Sequence, residues 1–348
     1  MFQFHLDNEK EMREWDNYVL SHKSGTPFHL SPWIQTIHDS YKFKPLLFVE
    51  KDTNDCIIGI FPSFLINSLI NGNRIVSIPF SDYGGNLFNN EIDFENLFSN
   101  FINKYEHKFK YLEIRCPLPN GSMGVRHDYY KRHMLELSSN PQDVKKKINK
   151  RTIQYSIKKA IKSGVTIEED NTLNGVMHFY RLNALTRKKH GVPSQPKKYF
   201  INLFKNMIQS GLAYIITAKS NEKTIAASMF FKFKDTIHYK YNASDPAYIK
   251  SHNPNHLLTW HAIERSCNEG YHLFDFGRTS PDNEGLMRYK KMWGAQPISC
   301  PYQYYPQIMG ITSIQEDGLL YKVLTRTWKR LPYFINQMIS EWLYRHMA

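Results

Sequence analysis

The string Phe274-Asp275-Phe276-Gly277-Arg278-Thr279, followed by Gly285-Leu286-Met287-Arg288-Tyr289-Lys290-Lys291-Met292-Trp293-Gly294, concentrates the side chains best suited to chemistry. The first part has the alternation of a buried strand ending in a charged pair. The second places Arg288, Lys290 and Lys291 beside Tyr289 and Trp293. Cations beside aromatic rings just past a strand end suit an anionic or carbonyl-rich substrate. The plain alternative is a surface turn with solvated lysines. Asp275 and Arg278, three apart, read as an ion pair that positions this loop.

Other candidates are scattered. Asp82 and Tyr83 lie in the turn Pro79-Phe80-Ser81-Asp82-Tyr83-Gly84-Gly85, whose glycines let backbone approach a ligand closely. Asp82 either takes a proton from an amine or bonds its own turn. Arg187 and His190 precede Gly191 and either hold a phosphate or end a helix with cations. Between Lys145 and Lys162 cations are almost unrelieved by acids. Ile148, Ile157 and Ile161 keep helical spacing and Gly164 supplies a stop, so this reads as a basic amphipathic helix. Lys147, Arg151 and Lys158 are its candidate phosphate or RNA contacts, with a solvated helix face as the alternative.

The elements that must position these residues follow from periodicity. Residues 10–20 have helical spacing, with Trp15, Val19 and Leu20 as apolar contacts. Leu46–Glu50, the turn Asp52–Asp55 and Cys56–Pro62 read as a hairpin, followed by a strand at Arg74–Ile78, a helix over 91–108 and a strand at Tyr111–Arg115. The same order recurs: a helix over 197–210, strands at Ala213–Ala218 and Thr224–Phe231, a strand at Ile237–Ser244, a helix over 255–268 and a strand at Leu273–Phe276. Ile57 maps onto Ile225 and Glu113 onto Asp275 at nearly equal offsets, the sign of a duplicated unit. The tail from about 317 carries regularly spaced apolar residues broken by Pro332 and reads as two helices packing back, with an interfacial membrane helix as the alternative.

The bulk numbers bound the rest. The chain has 348 residues, enough for two domains, and 41% hydrophobic content marks it as globular. A net charge of +13 favours polyanionic partners: nucleic acid, phospholipid heads, or nucleotide- and lipid-linked phosphates. Cys56, Cys116, Cys267 and Cys300 form no CxxC pair, so no metal site is expected and free thiols of a reducing compartment are. Charged residues interrupt the N-terminal stretch, and no run approaches the roughly 20 apolar residues of a spanning helix. The expected location is therefore cytoplasmic, with peripheral contact at the inner membrane face through the tail.

Taken together, the opening string, Pro79–Gly85, Lys147–Gly164, Leu185–Pro193, Tyr241-Asn242-Ala243-Ser244 and Asp275–Arg278 resemble the FemAB-like acyltransferases of the GNAT superfamily, which include peptidyltransferases that add amino acids to cell-wall precursors. The resemblance covers most of the chain. It implies an α/β fold of two tandem GNAT-like domains, each a mixed twisted sheet flanked by helices: 1–143, 144–310, and a helical tail over 311–348. It implies acyl transfer to an amine without metal or tightly bound cofactor. Tyr289-Lys290 matches the family's tyrosine/phenylalanine-lysine motif, so Lys290 becomes the expected electrostatic stabiliser, with Asp82 as the second catalytic candidate. Tyr83, Arg187, His190, Tyr241, Asn242, Arg278, Arg288, Tyr289 and Trp293 become the expected substrate-binding set. The acceptor would be a small-molecule, lipid-linked or nucleotide-linked amine of a cell-envelope precursor or polysaccharide sugar, and the donor aminoacyl-tRNA or acyl-CoA. An acetyl-CoA-dependent sugar N-acetyltransferase and a non-catalytic RNA- or membrane-binding protein are the alternatives. Tyr248–Asn255, where ordinary GNAT enzymes carry a Gly-rich pyrophosphate turn, lacks glycine; that departure disfavours acyl-CoA.

Overall fold

The computed structural model describes residues 1–68, 72–116, 124–306, 328 and 333–346. The chain divides into two compact units after Tyr130.

Unit 1 begins with β1 (Phe2–Phe4), α1 (Glu9–Ser21), α2 (Ser31–Tyr41), β2 (Lys44–Lys51) and β3 (Ile57–Ile66). It continues with β4 (Arg74–Val76), β5 (Leu87–Phe88), α3 (Glu91–Tyr105) and β6 (Tyr111–Ile114). Asn8 starts α1 by accepting the Lys10 and Glu11 amides on its side chain. Trp15 and Val19 are buried there as expected, together with Met12 and Tyr18, but Leu20 is 50% exposed because its position falls on the outer face. β2 and β3 pair antiparallel, β3 and β4 likewise, and β4 runs parallel to β6 with α3 as the crossover. Aromatic side chains fill the core between this sheet and α3: Phe48 and Phe61 meet Phe101 edge-on at 5.5 and 4.9 Å.

Unit 2 opens within β7 (Val125–Glu136), at Lys131, and continues with α4 (Pro141–Lys147), a π-helical turn at Lys150–Gln154, α5 (Tyr155–Lys162), β8 (Thr166–Glu169) and α6 (Leu173–His190). There follow α7 (Lys197–Leu203), β9 (Ala213–Ser220), β10 (Lys223–Phe233), β11 (Thr236–Ser244), α8 (Ile249–His252), α9 (Pro254–Asn268), β12 (Leu273–Thr279) and α10 (Glu284–Met292). Its strands are ordered β7-β12-β11-β10-β9-β8. Only β11 and β12 pair in parallel, and α9 is their crossover. Leu257, Leu258, Ile263 and Cys267 of α9 are all buried, as the spacing predicts.

The expected duplication is present as a matching strand register. In unit 1 the parallel pair joins Arg74 to Tyr111; in unit 2 it joins Thr236 to Leu273, the same separation along the chain. Glu113 and Asp275, matched by offset in the sequence, occupy corresponding positions, opposite Val76 and His238.

The chain returns to unit 1 through β13 (Gln296–Tyr305), whose Gln303–Tyr305 stretch pairs antiparallel with β6. A boundary at 143 and a continuous second domain to 310 did not provide for this return: a closing strand contributed from far along the chain leaves no local signal. The last helix, α11 (Tyr333–Tyr344), is tied to unit 2 by the Ser194 amide donating to Ser340 Oγ at 3.2 Å. Beyond it, the buried Arg74 of unit 1 donates to the His346 carbonyl at 2.9 Å. The expected break at Pro332 and the apolar positions 319–327 lie outside the described residues.

The basic segment is not one helix. α4 ends at Lys147, Ile148 is extended, and helical geometry resumes at Lys150. Asn149 causes the restart by accepting the Thr152 amide at 2.9 Å. Ile148, Ile153 and Ile157 face the core, whereas Ile161 is 60% exposed.

Candidate acyl-transfer site

The candidate site lies in unit 2, where β11 and β12 part. Their pairing stops at His238 and Asp275, yet β11 runs on to Ser244 and β12 to Thr279. Two strands that separate at the end of a parallel pair leave backbone facing an open gap, the usual ligand position in α/β sheets.

Three side chains fix the base of the gap. Asp275, 1% exposed, has its Oδ2 3.5 Å from Arg132 Nε on β7 and 3.4 Å from His238 Nδ1 on β11. Its Oδ1 accepts the Gly277 amide at 2.8 Å. Burial alone would raise its pKa, but Arg132, His238 and the Gly277 amide outweigh burial and hold the carboxyl far below the usual carboxylate range. The sequence reading matched Asp275 with Arg278. The ion-pair partners the structure gives Asp275 are Arg132 and His238, from two other strands.

Just beyond, β12 slips register against β7 between Asp275 and Arg278, and Gly277 takes φ +73°. This bulge turns the Gly277 and Arg278 carbonyls toward α10. Asn283 caps that helix by accepting the Leu286 amide at 3.1 Å. Helical geometry then separates the three cations: Arg288 and Lys291 are exposed, while Lys290 points inward at 4% exposure. Lys290 Nζ donates to Gly277 O at 2.8 Å and Arg278 O at 3.3 Å. An ammonium that stays buried on carbonyl dipoles is a fixed positive charge, not a solvated one.

The walls are aromatic. Tyr289 is edge-on to Trp293 at 6.2 Å and to His256 at 5.6 Å, and Trp293 is fully buried. Burial drives the Tyr289 phenol upward, so it stays protonated. Asn242 donates to Tyr239 Oη at 2.8 Å and to Ser228 Oγ at 2.9 Å. Tyr241 shares a 2.6 Å hydrogen bond with Tyr199 and accepts from Gln195 at 3.1 Å. His133, fully buried on β7, has its pKa lowered to about 4 by burial and further by Lys290 and Lys291.

The start of α9 bears on the donor. Pro254 has no N–H, and the His256 amide is bonded to Asn253 O at 3.1 Å. Of its first three residues only Asn255 retains an amide for an anion, and the turn before it is closed by α8, whose His252 and Asn253 amides bond Tyr248 O and Ile249 O.

The other expected residues belong to other elements. Arg187 donates through Nε to Pro193 O at 3.0 Å, within a helix end closed by Gly191 at φ +75°. His190 is exposed in the same turn. Lys147, Arg151 and Lys158 are all exposed. Asp82 and Tyr83 belong to unit 1: the Asp82 carbonyl accepts from Tyr302 at 2.7 Å, and Tyr83 is edge-on to Phe28 at 5.9 Å. The space beside Gly84 and Gly85 is filled by the side chains of Ile78 and Cys116. Among the described residues no group of His, Cys, Asp and Glu could hold a metal ion, and no helix is long and apolar enough to cross a membrane.

Residues 148–291 match the family model for the GNAT acetyltransferase domain, a span that includes β11, α9, β12 and Lys290. Unit 2 is a GNAT acyltransferase domain. The whole chain is similar in fold to FemX (TM-score 0.64, 14% identity, covering 87% of this chain and 97% of that one). It is also similar to L-PGS from Bacillus licheniformis (TM-score 0.57, 11% identity, 93% and 98%). A tandem GNAT protein from the clavulanic acid biosynthesis pathway matches at TM-score 0.53 and 11% identity, covering 87% and 96%. A search of curated proteins finds no match. With the second α/β unit in unit 1, the GNAT domain sits in a FemAB-like tandem architecture.

Proposed function

We propose that this GNAT-type acyltransferase moves an aminoacyl group from a charged tRNA to an amine on a cell-envelope precursor. The observation that carries the reading is the buried ammonium of Lys290 held at the end of β12, where β11 and β12 part. An amine nitrogen attacks the ester carbonyl, the C–N bond forms, and negative charge grows on the carbonyl oxygen. The C–O bond to the ribose then breaks, and the proton released by the nitrogen ends on the leaving oxygen. A fixed cation beside the growing oxyanion lowers the barrier by about 3 kcal/mol. Tyr289, Trp293 and Tyr241 are the proposed walls for the aminoacyl group, with Arg278 and Arg288 as charge at the rim. Asp82 is left out of the chemistry.

Three lines support the donor and acceptor. Pro254 has no amide hydrogen and the His256 amide is engaged, so the first three residues of α9 offer a CoA pyrophosphate one free amide, that of Asn255. The exposed Lys147, Arg151 and Lys158 offer phosphate contacts to a nucleic acid. The fold is also similar to the C-terminal domain of a putative lysylphosphatidylglycerol synthetase from Agrobacterium fabrum, whose name joins an aminoacyl group to a membrane phospholipid.

Thermal shift tests the donor. Charged tRNA is expected to raise the melting temperature by mass action and acetyl-CoA to leave it unchanged. Stabilisation by acetyl-CoA alone would instead support the sugar N-acetyltransferase reading.

A further inference from the structure

We propose that a cleft in unit 1, between the C-terminal end of α1 and β5, binds a pyranose ring carrying an anionic group. Its volume is about 440 Å³ and its walls include Tyr18, Ser21, His22, Lys23, Phe88 and Asn89. Small-ligand sites generally span roughly 300–1,000 Å³, so a single sugar residue fits with room for a substituent.

The walls divide into fixed and available groups. Tyr18 is fixed by its hydroxyl, which donates to Ile58 O at 2.8 Å and lies 3.3 Å from Leu87 O. His22 Nδ1 accepts the Ser24 amide at 3.2 Å, so the ring proton sits on Nε2, which donates to Phe88 O at 3.2 Å. Phe88 lies over Gly59, where a β-carbon would run into its ring, and is edge-on to Phe94 at 5.4 Å. Two aromatic side chains and a histidine are thus held before any ligand arrives, which removes ordering cost from binding.

Lys23 and Asn89 are different. Both are exposed, and no hydrogen bond or ion pair engages either side chain. Lys23 supplies a cation with three donors, and Asn89 supplies both donors and acceptors. Ser21 donates to Tyr18 O at 3.0 Å and keeps its oxygen lone pairs for a ligand hydroxyl. An aromatic floor takes the apolar face of a pyranose, the amide and hydroxyl take ring hydroxyls, and the ammonium takes a phosphate or carboxylate. The proposal rests on unit 1 alone and stands whether or not unit 2 transfers an aminoacyl group.

The experiment is calorimetric titration of the full chain with N-acetylglucosamine 1-phosphate, glucuronate and neutral N-acetylglucosamine, repeated on K23A and N89A. Both positions are exposed, so both variants are expected to fold, and circular dichroism confirms it. The expected result is saturable binding of at least one anionic sugar with a Kd on the order of 1 mM. The neutral sugar and each variant should bind about fivefold or more weakly. The two anionic probes distinguish a phosphate from a carboxylate as the preferred group. No saturation by either at concentrations up to about 20 mM would overturn the proposal. So would binding that neither substitution weakens.

Discussion

Lys290 and Asp275 are both buried charges held by polar partners, and they are expected to fail differently. Lys290→Met removes the ammonium but keeps the apolar stem. Transfer should fall about 100-fold, because one electrostatic stabiliser of the transition state is lost. Stability should fall by only about 1–3 kcal/mol, the cost of two unpaired carbonyls. Asp275→Asn leaves Arg132 and His238 facing a neutral group in the interior. It should cost about 3 kcal/mol in urea unfolding at neutral pH. The folded Asp275 pKa is depressed, so its contribution is present above the unfolded value of about 3.9 and is lost as pH falls through the folded value. The gap between wild type and Asp275→Asn should therefore narrow below about pH 4. A gap that widened on acidification would show the assigned ion pairs to be wrong.

The elements that place these groups were unevenly legible. α9 and the strands of both duplicated units follow from apolar periodicity, since each buries one clear face. α10 did not: Arg288, Tyr289, Lys290 and Lys291 show no apolar stripe, and the helix is set by the Asn283 cap and by Lys290 facing inward. The break between α4 and α5 was hidden by the evenness of the lysines, although the Asn149 cap marks it. His238 and Arg132 were invisible as partners of Asp275, because strand register, not sequence distance, brings them together. The β12 bulge has its own test. Gly277→Ala should cost about 1–2 kcal/mol because only glycine enters the left-handed region freely, and it should also reduce transfer by moving the carbonyls that hold Lys290. Unfolding and transfer measured on one preparation decide this. Unchanged transfer would mean that the bulge does not set the Lys290 position.

At the scale of the whole molecule, the fully buried His29 and His133 and the half-buried His256 make stability depend on pH. Burial lowers the pKa of His29 to about 3 and those of His133 and His256 to about 4. Each is neutral in the fold but takes a proton near pH 6.5 when unfolded. The unfolded chain therefore binds more protons between about pH 6.5 and 4, and stability falls as pH drops through that window. Melting temperature should decline steadily from pH 7 to 4.5, and His133→Asn should flatten part of the decline. A flat profile would contradict the neutral burial of these rings. The duplication too was readable only at this scale. Glu113 and Asp275 mark it by offset, but the return of β13 to unit 1 leaves no such mark, because no local pattern fixes which sheet a late strand joins.

The most direct test of the account is single-turnover transfer of a labelled amino acid from charged tRNA to an envelope-precursor amine, by wild type and by Lys290→Met. The account predicts product with wild type and a rate about 100-fold lower with the variant, at equal folded protein. Equal rates, or transfer from an acyl-CoA and none from charged tRNA, would contradict it.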